Sequence, residues 1–126
     1  MGLISSYFAD ELTEKEMRDA FLDAQTRTKL ASQIRAIRTQ RELSQGDLGK
    51  LLGKPQSNVS RLENCIVGRY TLSTLFELAS VFDVGLVVEF VPYEDFLWRT
   101  GDLSPKALEV RAFSRDALTP LTSRAG

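Results

Sequence analysis

Gln56, Ser57, Ser60 and Arg61 are the side chains in this sequence best spaced to bond a polar surface. Ser57, Ser60, Arg61 and Asn64 are three, four and seven residues apart, so on a helix they share one stripe, with Gln56 beside Ser60. A glutamine amide offers a donor and an acceptor side by side, a guanidinium offers a fork of donors, and a hydroxyl offers both. This is the chemistry of recognition rather than of bond making. The chain has no His, which removes the commonest general base. One Cys and no His exclude a disulfide within the chain and argue against a zinc site. No carboxylate or lysine cluster suggests catalysis, and no cofactor, catalytic residue or metal site is expected.

Two short helices are needed to hold that stripe, and the stretch from Leu43 to Asn64 supplies them. Ser44 is a good N-cap, and Asp47 three residues on completes a capping box. Leu48, Leu51 and Leu52 then fall on one face. Gly53 ends this helix where a positive φ is wanted. Pro55 suits the first turn of the next helix, because its missing N–H needs no partner there. Val59 and Leu62 face inward, opposite the polar stripe. Gly49 fits a close helix crossing, where a side chain would hold Val59 away.

Charge singles out the same region. Residues 1–25 carry two basic and six acidic residues, residues 26–70 nine basic and three acidic, and residues 71–126 five basic and eight acidic. The positive charge of a chain with net charge −1 is therefore confined to the segment holding the motif, as a phosphate-binding face on an acidic protein requires.

At 126 residues and 43% hydrophobic content, one domain with extensions is expected. Met1 to Leu12 reads as a mobile lead-in. Thr13-Glu14-Lys15-Glu16 reads as a capping box, with Met17, Ala20, Phe21 and Ala24 on one face of the helix it opens. Leu30, Ile34 and Ile37 form the stripe of a helix ending near Gln40, and the polar stretch from Gln25 to Thr28 leaves open whether residues 13–41 are one helix or two. Thr71 to Phe82 is so apolar, with Leu72, Leu75, Ala79 and Phe82 widened by Phe76, Leu78 and Val81, that burial on most of its surface and a dimer contact are expected.

Leu86, Val87, Val88, Glu89, Phe90 and Val91 read as a β-strand closed by Pro92. A lone strand leaves backbone groups unpaired. The simplest partner is the same strand of a second copy across a two-fold axis, with the C-terminal tail as the alternative. Leu86, Val87, Val88, Phe90 and Val91 are then the dimerisation residues. Tyr93 to Trp98 reads as a short aromatic helix, and Ser104-Pro105 as the start of another through Val110. The rest, with Phe113 and Leu118 as anchors, is small and polar.

The stretch from Leu43 to Asn64 resembles the helix-turn-helix of the phage-repressor-like (XRE) family of DNA-binding proteins, on Leu43, Ser44, Gln45, Leu48, Gly53, Gln56, Ser57, Val59, Ser60, Arg61, Leu62, Glu63 and Asn64. The likeness extends from about Leu30 to Val84. Gly49 stands where the family usually has Ala, Pro55 where it has Ser or Thr, and Cys65 where it commonly has Gly. The run through FVPYEDFL and DLSPKAL also resembles an extension of some bacterial XRE-type regulators. The resemblance implies a mainly α, lambda-repressor-like fold with an added N-terminal helix, beside the C-terminal strand read above. The expected division is 1–25 extension, 26–84 DNA-binding domain and 85–126 dimerisation segment.

The resemblance also implies roles. The second helix would enter the major groove of duplex DNA. Gln56, Ser57, Ser60 and Arg61 would read bases, Gln suiting adenine N6 and N7 and Arg suiting guanine O6 and N7. Gln45, Lys54, Asn64, Arg69 and Tyr70 would contact phosphates. Arg38 would pair with Glu63, fixing the helix and leaving nitrogens near a phosphate. The implied function is a homodimeric transcriptional repressor. The alternative is an antitoxin that neutralises a partner toxin through its acidic N-terminal helix and C-terminal extension while repressing its own promoter. RNA binding is a weaker third reading, since no aromatic stacking platform is evident. No apolar run reaches the ~18 residues of a membrane span, and no leader pattern is present, so no membrane partner and a cytoplasmic, nucleoid-associated location are expected.

Overall fold

A computed structural model describes residues 4–122. In chain order the helices are α1 (Ser6–Glu11), α2 (Lys15–Gln40), α3 (Gln45–Leu52), α4 (Gln56–Leu62), α5 (Leu72–Phe82), α6 (Tyr93–Thr100) and α7 (Pro105–Leu108), followed by a 3₁₀ turn (Arg115–Leu118) and a last turn, α8 (Thr119–Thr122). No described helix is long and apolar enough to cross a membrane.

The spine is α2, a single helix of 26 residues. The polar stretch from Gln25 to Thr28 does not break it; the side chains of Gln25, Arg27 and Thr28 bond other parts of the chain or their own preceding turn. Its second half buries Ala31, Ile34, Ala36 and Ile37. Ile34 and Ile37 pack with Leu48 of α3, Val59 and Leu62 of α4, and Leu78 and Phe82 of α5. This is the core that holds the polar stripe in place.

The first half of α2 carries the two extensions. Phe8 of α1 and Phe96 of α6 both meet Phe21 edge to face, at 5.0 and 6.2 Å between ring centroids. Gln25 Nε2 donates to the carbonyl of Thr100 at 2.6 Å, and Lys29 Nζ donates to that of Arg99 at 2.7 Å. Farther along, Gln33 Nε2 bonds the Leu108 carbonyl at 3.3 Å, and Arg41 bonds the carbonyls of Phe82 and Val110 at 2.8 and 3.1 Å. The C-terminal segment thus returns along α2, and within the expected lead-in from Met1 to Leu12, Ser6–Glu11 form a helix capped by Ser5, residues 1–3 lying outside the described residues.

The expected β-strand is absent. No strand forms among the described residues, and residues 85–92 run as unpaired chain. A strand needs a neighbour for its backbone groups, and the neighbour expected within the chain, the C-terminal tail, is bonded elsewhere. The tail is engaged by Gln33, Arg41 and the carbonyl of Asp83, which accepts from Phe113 N at 2.7 Å. Leu86 and Val91 are half-buried, whereas Val87, Val88 and Phe90 are 77, 66 and 106% exposed. The mainly α architecture stands, without the strand and without a sheet shared between two copies.

Smaller departures have local causes. Thr13 caps nothing; its hydroxyl donates to the carbonyl of Asp10 at 2.6 Å, and α2 starts from Glu14 without a side-chain cap. On α5 only Leu78 and Phe82 are buried, while Leu72 and Phe76 remain 54 and 59% exposed. The side chains of Phe113 and Leu118 are 59 and 41% exposed, so neither is a buried anchor, although the backbone of Phe113 bonds Asp83.

Candidate nucleic-acid interface

The polar stripe is set by two helix ends. Ser44 Oγ accepts from Asp47 N at 3.0 Å, and Asp47 Oδ2 accepts from Ser44 N at 2.9 Å, so the capping box at the start of α3 is complete. Gly53 closes α3 at φ 69° and ψ 32°, a left-handed conformation that disfavours any residue with a Cβ. Pro55 is the N-cap of α4, one position earlier than expected, with φ −64° and ψ 155°. The close approach lies at Gly49, but the crowding group is the Lys54 carbonyl oxygen, 2.7 Å from where a Cβ would sit, rather than Val59.

Val59 and Leu62 are buried, and Gln56, Ser57, Ser60 and Arg61 are all exposed on α4. Behind them runs a directional chain of hydrogen bonds. Arg38 Nε and Nη2 donate to Glu63 at 2.5 and 3.0 Å, and Arg38 Nη1 donates to the Leu43 carbonyl at 2.8 Å. The guanidinium is therefore turned inward on all three nitrogens. The Glu63 carboxylate raises the pKa of Arg38 against the opposing effect of burial. Glu63 also accepts from Gln45 Nε2 at 3.2 Å, and Gln45 Oε1 accepts from Gln56 Nε2 at 3.3 Å.

A carboxylate can only accept, so Gln45 must turn its amino group to Glu63 and its oxygen to Gln56. Gln56 must then commit one Nε2 hydrogen to Gln45. Its second hydrogen and its Oε1 remain as a donor and an acceptor. That pair is complementary to N7 and N6 of adenine.

The residues expected to contact phosphates are divided. Lys54, Arg61 and Arg69 line one cleft beside α4, together with Asn58 and Thr74. Arg61 and Arg69 are exposed and make no ion pair among the described residues. Lys54 is tied to Glu77 at 3.2 Å. Tyr70 is turned inward, its hydroxyl donating to the Leu62 carbonyl at 2.7 Å, and burial raises its pKa. Asn64 uses its Oδ1 to accept from Ile66 N at 2.9 Å and shapes the loop after α4.

Asn58 and Thr74 escaped the sequence reading. Asn58 lies three residues before Arg61 and after Pro55, a spacing that placed it on the cleft side of α4. Thr74 gave no such signal, because only the fold brings the first turn of α5 to α4. Its backbone N–H and the Thr71 hydroxyl bond each other at 3.1 Å.

Residues 34–88 match a family model described as helix-turn-helix. Comparisons with curated proteins and with solved structures gave no match.

Proposed function

We propose that this protein is a DNA-binding transcriptional regulator of the XRE helix-turn-helix type, acting as a homodimeric repressor that reads a near-palindromic operator with α4; the match of residues 34–88 to a helix-turn-helix family model supports this reading. The observation that carries this reading is the exposed stripe Gln56, Ser57, Ser60 and Arg61, with the Gln56 amide oriented by Gln45 and Glu63. These side chains read base edges. Arg69, Gln45, Asn64 and the cleft beside α4 hold backbone phosphates, and these contacts set register rather than sequence.

Apolar surface after α5 supports a second copy. Val87, Val88 and Phe90 are exposed in a row, and their side chains, without any shared sheet, form the dimer contact. Leu86 and Val91 stay with their own chain. Two copies set their recognition helices about 34 Å apart, one turn of DNA.

Selection from random-sequence duplexes at two salt concentrations tests the reading. A near-palindrome with salt-dependent binding is expected. A single half-site would remove the dimer, and binding without any preferred sequence would remove specific regulation.

A second reading, an antitoxin that also represses its own promoter, draws on one observation. The extensions pack on the same part of α2, where Phe8 of α1 and Phe96 of α6 both meet Phe21 and Tyr93 of α6 bonds the Arg18 carbonyl, and both carry acidic residues, Glu94 and Asp95 on α6 among them. A toxin gene beside this one, and a complex of the two products that survives mutation of α4, would favour it.

A further inference from the structure

Lys54 stands two residues before α4 and is already engaged. Its Nζ donates to Glu77 Oε1 at 3.2 Å. The other cations of the cleft, Arg61 and Arg69, have no acidic partner among the described residues. Among the described residues, Glu77 is thus the one carboxylate that bonds a residue of this cleft.

The pair is not built to hold the fold. Its side chains are 31 and 45% exposed, whereas those of Arg38 and Glu63 are 12 and 5% exposed. At such exposure water and salt weaken an ion pair until it contributes little to folding. The place of α5 is fixed instead by buried Leu78 and Phe82. What the pair does govern is the availability of Lys54. A duplex phosphate brought to the cleft must either displace Glu77 or share the Lys54 ammonium with it, and in both cases it lies near the negative charge of Glu77.

Resting on the DNA reading above, we propose that Glu77 is an affinity-setting residue, an internal competitor that holds Lys54 away from a backbone phosphate. Phosphate contacts carry no sequence information. Glu77 therefore lowers binding to all duplexes alike and leaves the preferred sequence unchanged. It keeps the regulator exchangeable on DNA, since every phosphate neutralised adds strength at specific and non-specific sites together.

The experiment measures affinity for a pool of random-sequence duplexes over a salt series. It compares the natural protein with Glu77→Gln, Lys54→Met, the double variant and Glu89→Gln. Glu89 bonds Arg99 of α6 and gives the same change of charge away from the cleft. Thermal melts confirm that each variant is folded. Glu77→Gln is expected to bind about three- to tenfold tighter, with a salt slope steeper by about 0.9. The gain is expected to vanish with Lys54→Met and to be absent in Glu89→Gln. Selection from the same pool should return the same preferred sequence. The inference is overturned if Glu77→Gln binds no tighter, if the gain survives Lys54→Met, or if Glu89→Gln matches it. If the natural protein binds no duplex at any salt, the DNA reading itself fails and takes this inference with it; binding by the natural protein with no gain in Glu77→Gln removes the inference alone.

Discussion

Arg38 of α2 and Glu63, at the end of α4, form a buried two-pronged ion pair at 2.5 and 3.0 Å. Their side chains are 12 and 5% exposed, so removing either leaves an unpaired charge out of water, at a cost of about 3–5 kcal/mol. Arg38→Ala and Glu63→Ala are each expected to lower stability by that amount in urea unfolding. Replacing both by Met restores the apolar packing and is expected to recover most of the loss. DNA binding should stay weak in the double variant, because Gln45 then has no carboxylate to orient it. Full recovery of both properties would show that the pair serves only the fold.

Gln45 is expected to act on base preference through Gln56. Its Nε2 faces Glu63 and its Oε1 faces Gln56, so Gln45→Ala frees the Gln56 amide to rotate. Gln56→Ala removes the reading group and is expected to cost about 1–3 kcal/mol of discrimination at one base position. Gln45→Ala should relax the same position while leaving the others unchanged. Selection with both variants tests this, and a Gln45→Ala protein with unaltered preference at that position contradicts the coupling.

Gly49→Ala sets two effects against each other. Alanine improves helix propensity by about 1 kcal/mol. The added Cβ would meet the Lys54 carbonyl oxygen at 2.7 Å, and that oxygen belongs to backbone, in a turn whose Lys54 N–H already bonds the Gly49 carbonyl at 2.8 Å. Overpacking of this kind costs about 1–3 kcal/mol. The crowding should win, with a net loss of up to about 2 kcal/mol in urea unfolding and a displaced α4 that weakens DNA binding. A more stable Gly49→Ala protein would contradict the tight crossing.

What the sequence showed plainly was local. The box of Ser44 and Asp47, the left-handed Gly53 and the division of α4 into buried Val59 and Leu62 against an exposed stripe depend on residues a few positions apart, and all are present. The segment from Leu86 to Val91 misled because β-branched composition reports a fit to a sheet, whereas a strand exists only beside another. The helices over Tyr93–Thr100 and Pro105–Leu108 were legible, but the way the extensions dock was not, for a different reason. Gln25, Lys29, Gln33 and Arg41 hold carbonyls at residues 100, 99, 108 and 110, and bonds from a side chain to a distant carbonyl leave no periodic trace. The same is true of Lys54 and Glu77, which meet only because α5 folds back beside α4.

Acid should weaken the start of α3. The Ser44 backbone N–H, followed by its hydroxyl, holds the Asp47 carboxyl below the usual carboxylate pKa. A group whose pKa is lower in the folded chain stabilises the fold above its unfolded value, about 3.9, and loses that contribution as pH falls through the folded value. Asp47→Ala is therefore expected to melt at a lower temperature than the natural protein near neutral pH. The gap should narrow as pH falls below about 4 and close once Asp47 is protonated in both states. Ser44→Ala removes the hydroxyl half of the box, at about 0.5–2 kcal/mol, and its gap should not close, because the lost acceptor does not titrate. Melting curves of the three proteins from about pH 7 to about pH 2.5 distinguish the two behaviours. A gap for Asp47→Ala that is the same at both ends would show that the carboxylate form of Asp47 contributes nothing to the cap.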